Sequence, residues 1–293
     1  MEEKSGVLRL AKPKLRGLPG LLFSRLPFIV LMIALQLLLM AGVYLRLSEY
    51  IPHFLALQSL FTLAMVFYLS TAEIHVANAA LVSNLSEGVC IEGVNSIELT
   101  NCDLTANNTK CNGNATFLDA IMIYQSMSGD ADSGTSSFTM TDGSLTSKSG
   151  HVFHVTNTNA VITLRNVRIV NEDGDGILLS VCADGWSGGS NTATLNAAAQ
   201  VLTGAIKVGS DSELTLSLTE ESSFAGSIDG SIVNASGASV STGVGTVSVT
   251  LDSTSTWTLT GDSYVTAFNG DASCVISNGY TLYVNGVALT GVK

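Results

Sequence analysis

The sequence predicts a mainly β protein: a right-handed parallel β-helix, a single-stranded solenoid, preceded by an N-terminal transmembrane helical hairpin. Two observations predict this fold. Short apolar segments recur with a common spacing in residues 81–293, and two uncharged apolar stretches lie within residues 28–70. The predicted organisation is a basic cytoplasmic N-terminus over 1–27, the hairpin over 28–70, a linker over 71–80 and the β-helix over 81–293.

The composition changes sharply near Ser70. Residues 1–70 carry seven Lys/Arg and three Asp/Glu, which is a formal charge of +4. Residues 71–293 carry six Lys/Arg and twenty-one Asp/Glu, which is a formal charge of −15. Charged residues make up only 13 % of the chain and prolines number four, which is not the composition of a disordered protein. The acidic C-terminal part lacks the Lys and Arg that phosphate contacts need, so we expect no nucleic-acid partner.

Two apolar stretches predict the membrane hairpin. Residues 28–45 (FIVLMIALQLLLMAGVYL) contain no charge and are long enough to span a bilayer. Residues 54–69 (FLALQSLFTLAMVFYL) are shorter but also uncharged, and a polar connection with Pro52 separates the two stretches. The lipid bilayer is therefore the expected partner of residues 28–70.

Six basic residues precede the first stretch, and the positive-inside rule places that end of the chain in the cytoplasm: Lys4, Arg9, Lys12, Lys14, Arg16 and Arg25. One span would put the β-helix outside the cell, and two spans would return it to the cytoplasm. We expect a membrane protein with its β-helix at the cell surface. The alternatives are a signal peptide cleaved near residues 77–80, where small residues cluster, and a buried soluble helix pair.

Three segments of the C-terminal part align without gaps: IELTNCDL (97–104), FTMTDGSL (138–145) and ITLRNVRI (162–169). Their first, third and eighth positions are apolar, whereas a helical stripe would recur every 3.6 residues. Looser copies begin at Ala193, Leu216 and Trp257. Recurrence at roughly 24 residues is typical of a repeat architecture in which successive turns stack.

The fifth position of the three gapless copies holds Asn101, Asp142 and Asn166. Stacked copies would place these residues in one structural column at a turn. Asn and Asp suit such a column because their side chains bond to nearby backbone and tolerate left-handed backbone angles. The alternative fold is a β-sandwich, which also shows regularly spaced turns.

Secreted bacterial right-handed β-helices of the pectin-lyase-like class, and among them adhesin-like surface proteins, are similar to three segments of the chain: VCIEGVNSIELTNCDL, IMIYQSMSGDADSGTSSFTMTDGSLTSKSGHVFHVTNTNAVITLRNVRI and LDSTSTWTLTGDSYV. The resemblance covers roughly residues 81–291. It implies a non-enzymatic surface that binds a glycan or a surface protein. It also raises one alternative, a Ca²⁺-dependent polysaccharide lyase of the pectate-lyase-like class.

Residues 14–70 resemble the N-terminal membrane segment of bacterial cardiolipin synthases, through LLFSRLPFIVLMIALQLLLMAGVYLRLSEYIPHF and the stretch that follows it. That family's activity depends on two HxKxxxxD motifs. The chain has four histidines, and none is followed by Lys two positions later: His53, His75, His151 and His154. Lipid-synthase chemistry is therefore not expected. A further alternative is a chimeric or truncated gene product without independent function.

No motif predicts catalysis, and we expect no enzyme, no resident cofactor and no bound metal. The nearest lyase-like group is Arg165, Arg168, Glu172, Asp173 and Asp175, whose carboxylates are suitable Ca²⁺ ligands. A solvated turn is the simpler interpretation of that NEDGDG segment, and the same holds for Asp130 and Asp132.

Two aromatic residues are the candidate ligand-binding residues, Trp186 in a Gly-rich loop and Tyr124 in a strand-like segment. Exposed aromatic rings on such a surface stack on the apolar faces of sugars. His151 and His154 are three residues apart, so strand alternation predicts that they lie on opposite faces and do not form a metal pair. Cys102 and Cys182 lie among apolar or small residues and are expected in the core.

Overall fold

The computed structural model describes residues 7–11, 72–126, 131–186 and 188–293, together with scattered helical residues: 30, 33–38, 40, 41, 52, 53, 55, 56 and 59. The chain divides into two compact units, Leu10–Glu73 and Ile74–Lys293 with Met1–Arg9. Most of the predicted membrane hairpin, residues 28–70, lies outside the described residues.

The described residues of the first unit between 30 and 59 are helical. Leu35 is buried, whereas Leu37 and Met40 are 60 % and 63 % exposed. None of the helices in the described part of the chain has both the length and the apolar character that a membrane span needs. The hairpin therefore stays a prediction.

The regular structure of the described part of the chain is otherwise β-strand, apart from a short 3-10 helix at Ala272–Cys274. The strands are β1 (Val7–Ala11), β2 (Glu73–Ala77), β3 (Ala80–Ser83), β4 (Val89–Glu92), β5 (Ser96–Ala106), β6 (Asp119–Tyr124), β7 (Thr135–Ser147), β8 (His151–Thr156), β9 (Thr158–Arg165), β10 (Arg168–Asn171), β11 (Ile177–Val181), β12 (Asn191–Ala198), β13 (Val201–Thr203), β14 (Ala205–Val208), β15 (Ser212–Thr219), β16 (Ser223–Gly226), β17 (Ile228–Asp229), β18 (Ile232–Val233), β19 (Ser239–Ser241), β20 (Thr246–Leu251), β21 (Thr256–Leu259), β22 (Ser263–Val265), β23 (Ala267–Asn269), β24 (Val275–Ile276), β25 (Leu282–Val284) and β26 (Val287–Ala288).

The strands form three main sheets. Sheet I follows the order β1-β2-β5-β7-β9-β12-β15-β20-β23, with β3 beside β5 and β10 beside β7; sheet II follows β17-β14-β11-β8-β6-β4, and sheet III follows β13-β16-β21-β24. The pairings described within these sheets are parallel. A hairpin cannot join parallel neighbours, so the chain leaves each sheet and returns to it one position further along. The predicted mainly β structure is thus correct, and its main sheets are parallel.

The chain visits the sheets in a fixed order. From β12 onward it passes through sheet I, sheet III and sheet II, as β12-β13-β14 and then as β15-β16-β17. The next passage begins with β20 in sheet I and β21 in sheet III, and it continues into β22, which pairs in parallel with β25. Each passage therefore lies against the one before it, and equivalent positions become neighbours.

Apolar side chains at equivalent positions form buried columns. Leu99 pairs with Met140, and Met140 pairs with Leu164. The column continues through residues that are all at most 4 % exposed: Ala197, Leu218 and Leu251. Burying a side chain such as Leu contributes about 1.5–3 kcal/mol, so in-register stacking supplies each passage with its own part of the core.

Polar residues stack at a corner that lies within β5 and β7 and directly after β9. Asn101, Asp142 and Asn166 all have positive φ, at 51°, 59° and 51°. Nδ2 of Asn101 donates to Oδ1 of Asn78 at 2.7 Å, and Nδ2 of Asn166 donates to Oδ1 of Asp142 at 2.6 Å. Asn and Asp occupy this corner because they adopt left-handed angles and carry amide and carboxylate groups that bond to the next residue in the column.

Two of the looser repeat copies lie elsewhere than the sequence alignment places them. Trp257 belongs to β21 of sheet III and pairs with Phe224, so the alignment of this copy with Ile162 of sheet I is wrong. Ile162 pairs with Leu195, so the copy that begins at Ala193 is misplaced by two residues. Alternating apolar residues occur on every sheet, and the pattern does not tell one sheet from another.

Candidate functional site

Tyr124 and Trp186, the two predicted ligand-binding aromatics, are in contact. Tyr124 is the last residue of β6, and Trp186 lies on the loop between β11 and β12. Their ring centroids are 4.8 Å apart with planes inclined at 48°, and both side chains are half-buried. The pair presents one continuous aromatic surface rather than two isolated rings.

Two glycines allow the Trp186 loop to lie this close to its neighbours. A Cβ on Gly185 would lie 1.7 Å from the carbonyl oxygen of Asn114, and one on Gly189 would lie 2.4 Å from that of Asn157. Any larger residue would push the backbone of the loop away. The Gly-rich composition of CADGWSGGS is therefore a packing requirement, and it fixes where Trp186 sits.

The other aromatic is held by a carboxylate of the adjacent strand. Glu92 pairs with Tyr124 across β4 and β6. Its Oε2 accepts from the Tyr124 hydroxyl at 3.2 Å, and its Oε1 accepts from the backbone N–H of Ser126 at 3.1 Å. Glu92 thus fixes both the ring of Tyr124 and the backbone that follows it.

Asn157 joins the two segments that carry the aromatics. Its Nδ2 donates to the carbonyl of Gln125 at 2.7 Å, and its Oδ1 accepts from the N–H of Gly189 at 2.5 Å. Asn157 has a φ of +56°, a backbone angle that Asn tolerates. This single side chain connects the end of β6 to the loop of Trp186.

A pocket of about 450 Å³ opens beside these connections. It begins at the residue after Tyr124 and two residues after Trp186, and its lining comprises Gln125, Ser126, Ser133, Gly134, Asn157, Thr158, Asn159, Gly188, Gly189 and Ser190. Its volume is in the range of small-molecule sites. Amides, hydroxyls and glycine backbone line it, and none of the described lining residues has a charged side chain, so it suits a neutral ligand rich in hydroxyl groups.

A chain of buried polar side chains lies on sheet II beneath the same loop. Ser180 is fully buried, and its Oγ is 2.7 Å from Nδ1 of both His151 and His154. Nε2 of His154 lies 3.4 Å from Oδ2 of Asp184, two residues before Trp186. Phe117 covers both imidazole rings, with centroid separations of 5.4 and 4.6 Å.

The prediction that His151 and His154 lie on opposite faces is wrong. Both are buried, and both contact the same serine. Two consecutive residues between them, Val152 and Phe153, belong to the main core, so the strand does not alternate there. Leu178 and Leu179 repeat this in β11, where the register with β14 shifts. The irregularity turns residues three apart to one face.

The shared hydroxyl of Ser180 couples the two imidazole rings. Ser180 has one proton, so it donates to one imidazole and accepts from the other. Burial, followed by the charge of His154, lowers the pKa of His151 to about 3, so His151 is neutral at physiological pH. A neutral His151 can offer Nδ1 as donor or as acceptor, and Ser180 adapts to either.

Asp184 anchors the Trp186 loop. Its Oδ1 accepts from the N–H of Thr116 at 2.8 Å, from the Thr116 hydroxyl at 2.7 Å and from the N–H of Gly185 at 2.7 Å. Burial alone would raise the pKa of Asp184, but the hydrogen bond and charge of His154 and the donors of Thr116 and Gly185 lower it. Asp184 is therefore a carboxylate that ties two loops together.

Asp119 is a fully buried carboxyl group whose two oxygens have no hydrogen-bond partner among the described residues. Burial, followed by the charges of Glu87 and Asp184, raises its pKa well above the ordinary value. A neutral carboxyl is the form that such surroundings favour. The described part of the chain contains no group of three or more His, Cys, Asp or Glu residues that could hold a metal.

The lyase-like group of charged residues is not assembled into one site. Arg165 pairs with Glu220 at 2.7 Å on the surface. Asp173 accepts from the N–H groups of Gly150 and Asp175, at 2.7 and 3.0 Å, and so holds its own turn. Asp130, in the second acidic turn, lies outside the described residues.

The cysteines are unpaired. Cys102 and Cys182 are buried, as their apolar neighbours predict. Burial raises the pKa of the Cys182 thiol to about 12. A thiol with such a value remains protonated and is a poor nucleophile at neutral pH.

No protein-family model, curated protein or solved structure matches the chain. The site must therefore be interpreted from its own geometry.

Proposed function

We propose that residues 81–293 form a right-handed parallel β-helix. The order in which the chain visits the three sheets, the columns through Leu99, Met140 and Leu164, and the polar corner at Asn101 and Asn166 support this fold. Right-handed crossing is the rule for parallel strands joined through a crossover. A solenoid of this kind offers a long, rigid surface for multipoint contacts.

We infer that this domain is a non-enzymatic, adhesin-like surface protein that binds a neutral glycan. The observation that carries the inference is the Tyr124–Trp186 contact beside an uncharged pocket. Aromatic faces stack on the C–H faces of pyranose rings, while amides and hydroxyls bond to sugar hydroxyls. The net charge of −11 and the uncharged lining favour a neutral polysaccharide over a polyuronate.

Replacing Trp186 with alanine is expected to weaken binding of a neutral oligosaccharide about tenfold, or about 1.4 kcal/mol, because the stacking surface is lost. Calorimetric titration of the purified proteins with cello-, xylo-, manno- and galactohexaose measures the affinity. Tryptophan emission cannot serve for this comparison, because the variant lacks Trp186 and the remaining Trp257 is fully buried. A hexagalacturonate arm with and without Ca²⁺ tests the lyase alternative.

The matched variant is Trp186→Phe, which keeps an aromatic ring and should bind within about threefold of the wild type. Equal affinities for the wild type and Trp186→Ala would place binding elsewhere. Unsaturated products released from the galacturonate with Ca²⁺ would overturn the non-enzymatic proposal.

We propose that residues 28–70 anchor the domain and that residues 81–293 lie outside the cell. Protease added to intact cells is then expected to remove the domain, detected by an antibody to the C-terminal residues, without membrane permeabilisation. A cytoplasmic reporter protein serves as the control. Protection of the domain until the membrane is permeabilised would place it in the cytoplasm, as two spans predict.

A further inference from the structure

A second aromatic pair lies on the final passages of the chain. Tyr264 in β22 and Tyr283 in β25 occupy paired positions of parallel strands. Their rings are stacked, with centroids 5.1 Å apart and planes 7° from parallel, and Tyr264 is 40 % exposed. Tyr283 supports one face of the Tyr264 ring, so the ring is held in place without being buried.

Tyr264 forms part of a second pocket, of about 520 Å³. The rest of its lining comes from strands β14 and β17 of sheet II and from the chain between β17 and Tyr264. These residues are Lys207, Asp229, Gly230, Ser231, Thr242, Val244 and Asp262. Aromatic, hydroxyl, charged and glycine-backbone groups thus meet in one concave place, as in small-molecule sites generally.

Hydrogen bonds fix the positions of the charged side chains in this pocket. Nζ of Lys207 donates to both carboxylate oxygens of Asp229, at 2.8 and 2.9 Å. Oδ1 of Asp229 also accepts from the N–H of Ser231 at 2.9 Å. Oδ1 of Asp262 accepts from the N–H of Thr281 at 2.9 Å, which leaves Oδ2 to accept from a ligand. One cation and two carboxylates give the pocket a formal charge of −1.

We propose that the pocket beside Tyr264 is a second glycan-binding site, selective for neutral over acidic sugars. A pyranose stacked on Tyr264 would place its hydroxyls against Asp262 and Asp229, which accept from hydroxyl donors. The negative charge repels a uronate carboxylate at the same place. The proposal rests on the proposed function for the class of ligand, and it uses different residues.

The two sites lie apart along the stack of strands. Tyr124 is on β6, and four strand spacings separate β6 from β17 in sheet II, in the order β6-β8-β11-β14-β17. Strand β22, which carries Tyr264, contacts β17. The step from β17 to β22 adds a fifth spacing, and at about 4.8 Å per spacing the separation is roughly 24 Å. A disaccharide therefore occupies each site separately, whereas a long chain can reach both and gain avidity.

Calorimetric titration of the full chain with the disaccharides cellobiose, xylobiose, mannobiose and galactobiose, and with digalacturonate, tests the proposal. The wild type is expected to bind two molecules of a neutral disaccharide, and Tyr264→Ala is expected to bind one. Asp262→Asn should still bind two, with at least fivefold weaker binding at one site. Digalacturonate should not bind at the Tyr264 site. Tyr280→Ala is the matched control, since Tyr280 is 42 % exposed but does not line the pocket, and it should keep two sites. Unchanged circular dichroism of each variant checks folding.

The outcomes separate this proposal from the proposed function. If the wild type has a single site that Trp186→Ala removes and Tyr264→Ala does not affect, the proposed site at Tyr264 is overturned and the Tyr124–Trp186 site stands. A single site lost only in Tyr264→Ala overturns the Tyr124–Trp186 site and supports the second. Tighter binding of digalacturonate than of every neutral disaccharide at Tyr264 overturns the selectivity, and no binding of any probe overturns both sites.

Discussion

Replacing Trp257 with alanine is expected to lower the free energy of unfolding by about 3–5 kcal/mol, the range for a buried aromatic reduced to alanine. Trp257 is fully buried and stacks on Phe224, with ring centroids 5.5 Å apart and planes inclined at 25°. Its Nε1 donates to the carbonyl of Gly226 at 3.0 Å. Alanine at this position removes the stack, leaves a cavity between two passages and leaves that carbonyl with only the longer bond from the N–H of Thr260, at 3.4 Å.

Urea denaturation followed by circular dichroism measures this effect, with the slope m compared to confirm that the same structure unfolds. Trp257→Phe keeps a ring against Phe224 and loses only the hydrogen bond and some volume, so its destabilisation should be less than half as large. Tyr280→Ala, at an exposed aromatic, should change stability by less than about 0.5 kcal/mol. A Trp257→Ala variant within 1 kcal/mol of the wild type would show that the stacked core of sheet III does not carry the stability we assign to it.

Trp257 also shows how far the sequence determines the fold. The three gapless copies could be aligned because their spacing fixes an apolar face, a turn and a second apolar face together. The structure pairs Leu104 with Leu145 and Leu145 with Ile169, as that spacing requires. The copy at Trp257 satisfies the same alternation on another sheet. A period of two residues identifies a strand with one buried face, but it carries no information about which sheet the strand joins.

The positions of His151 and His154 are a second feature that strand alternation alone does not predict. Strict alternation separates residues three apart, yet His151 and His154 share one face because Val152 and Phe153 both enter the core. The usable signal was the apolar doublet itself, which recurs at Ala120–Ile121 and at Leu178–Leu179. A doublet at equivalent places in successive passages indicates an irregular strand, and it moves the polar residues on either side of it to the same face.

The candidate site was predicted residue by residue but not as a site. Tyr124 and Trp186 could be singled out by their aromatic character, but their contact depends on how the loop after β11 folds back. That fold depends on Asp184, Gly185 and Gly189, whose partners are distant in sequence. The pocket is built from residues of four segments, and its uncharged lining becomes evident only when they are brought together.

The same loop gives the second large effect: Asp184→Ala is expected to destabilise the protein by at least about 3 kcal/mol and to weaken glycan binding. Hydrogen bonds to a charged group contribute about 1.5–3 kcal/mol each, and Oδ1 of Asp184 accepts three, from Thr116 and Gly185. Their loss leaves two part-buried donors of Thr116 without their acceptor and frees the backbone beside Trp186. Emission of Trp186 and the affinity for the best neutral hexaose should therefore change together with the stability.

Asp184→Asn distinguishes the effect of the negative charge from that of the hydrogen bonds. The amide oxygen of Asn can still accept hydrogen bonds, while the negative charge opposite His154 is removed. The pKa of Asp184 is lowered in the folded protein, so its stabilising contribution is present above the unfolded value of about 3.8 and is lost as pH falls through the lower folded value. The difference in unfolding free energy between wild type and Asp184→Asn should accordingly be largest near pH 7 and shrink below about pH 4. Asp252→Ala is the control: Asp252 also caps a turn, by accepting from Thr254 and Ser255, but on another loop. It should leave the emission of Trp186 and the glycan affinity unchanged. If Asp184→Asn instead matched the wild type at every pH, the loop would be held by its glycine packing and by Asn157 alone, and the carboxylate would have no part in placing Trp186.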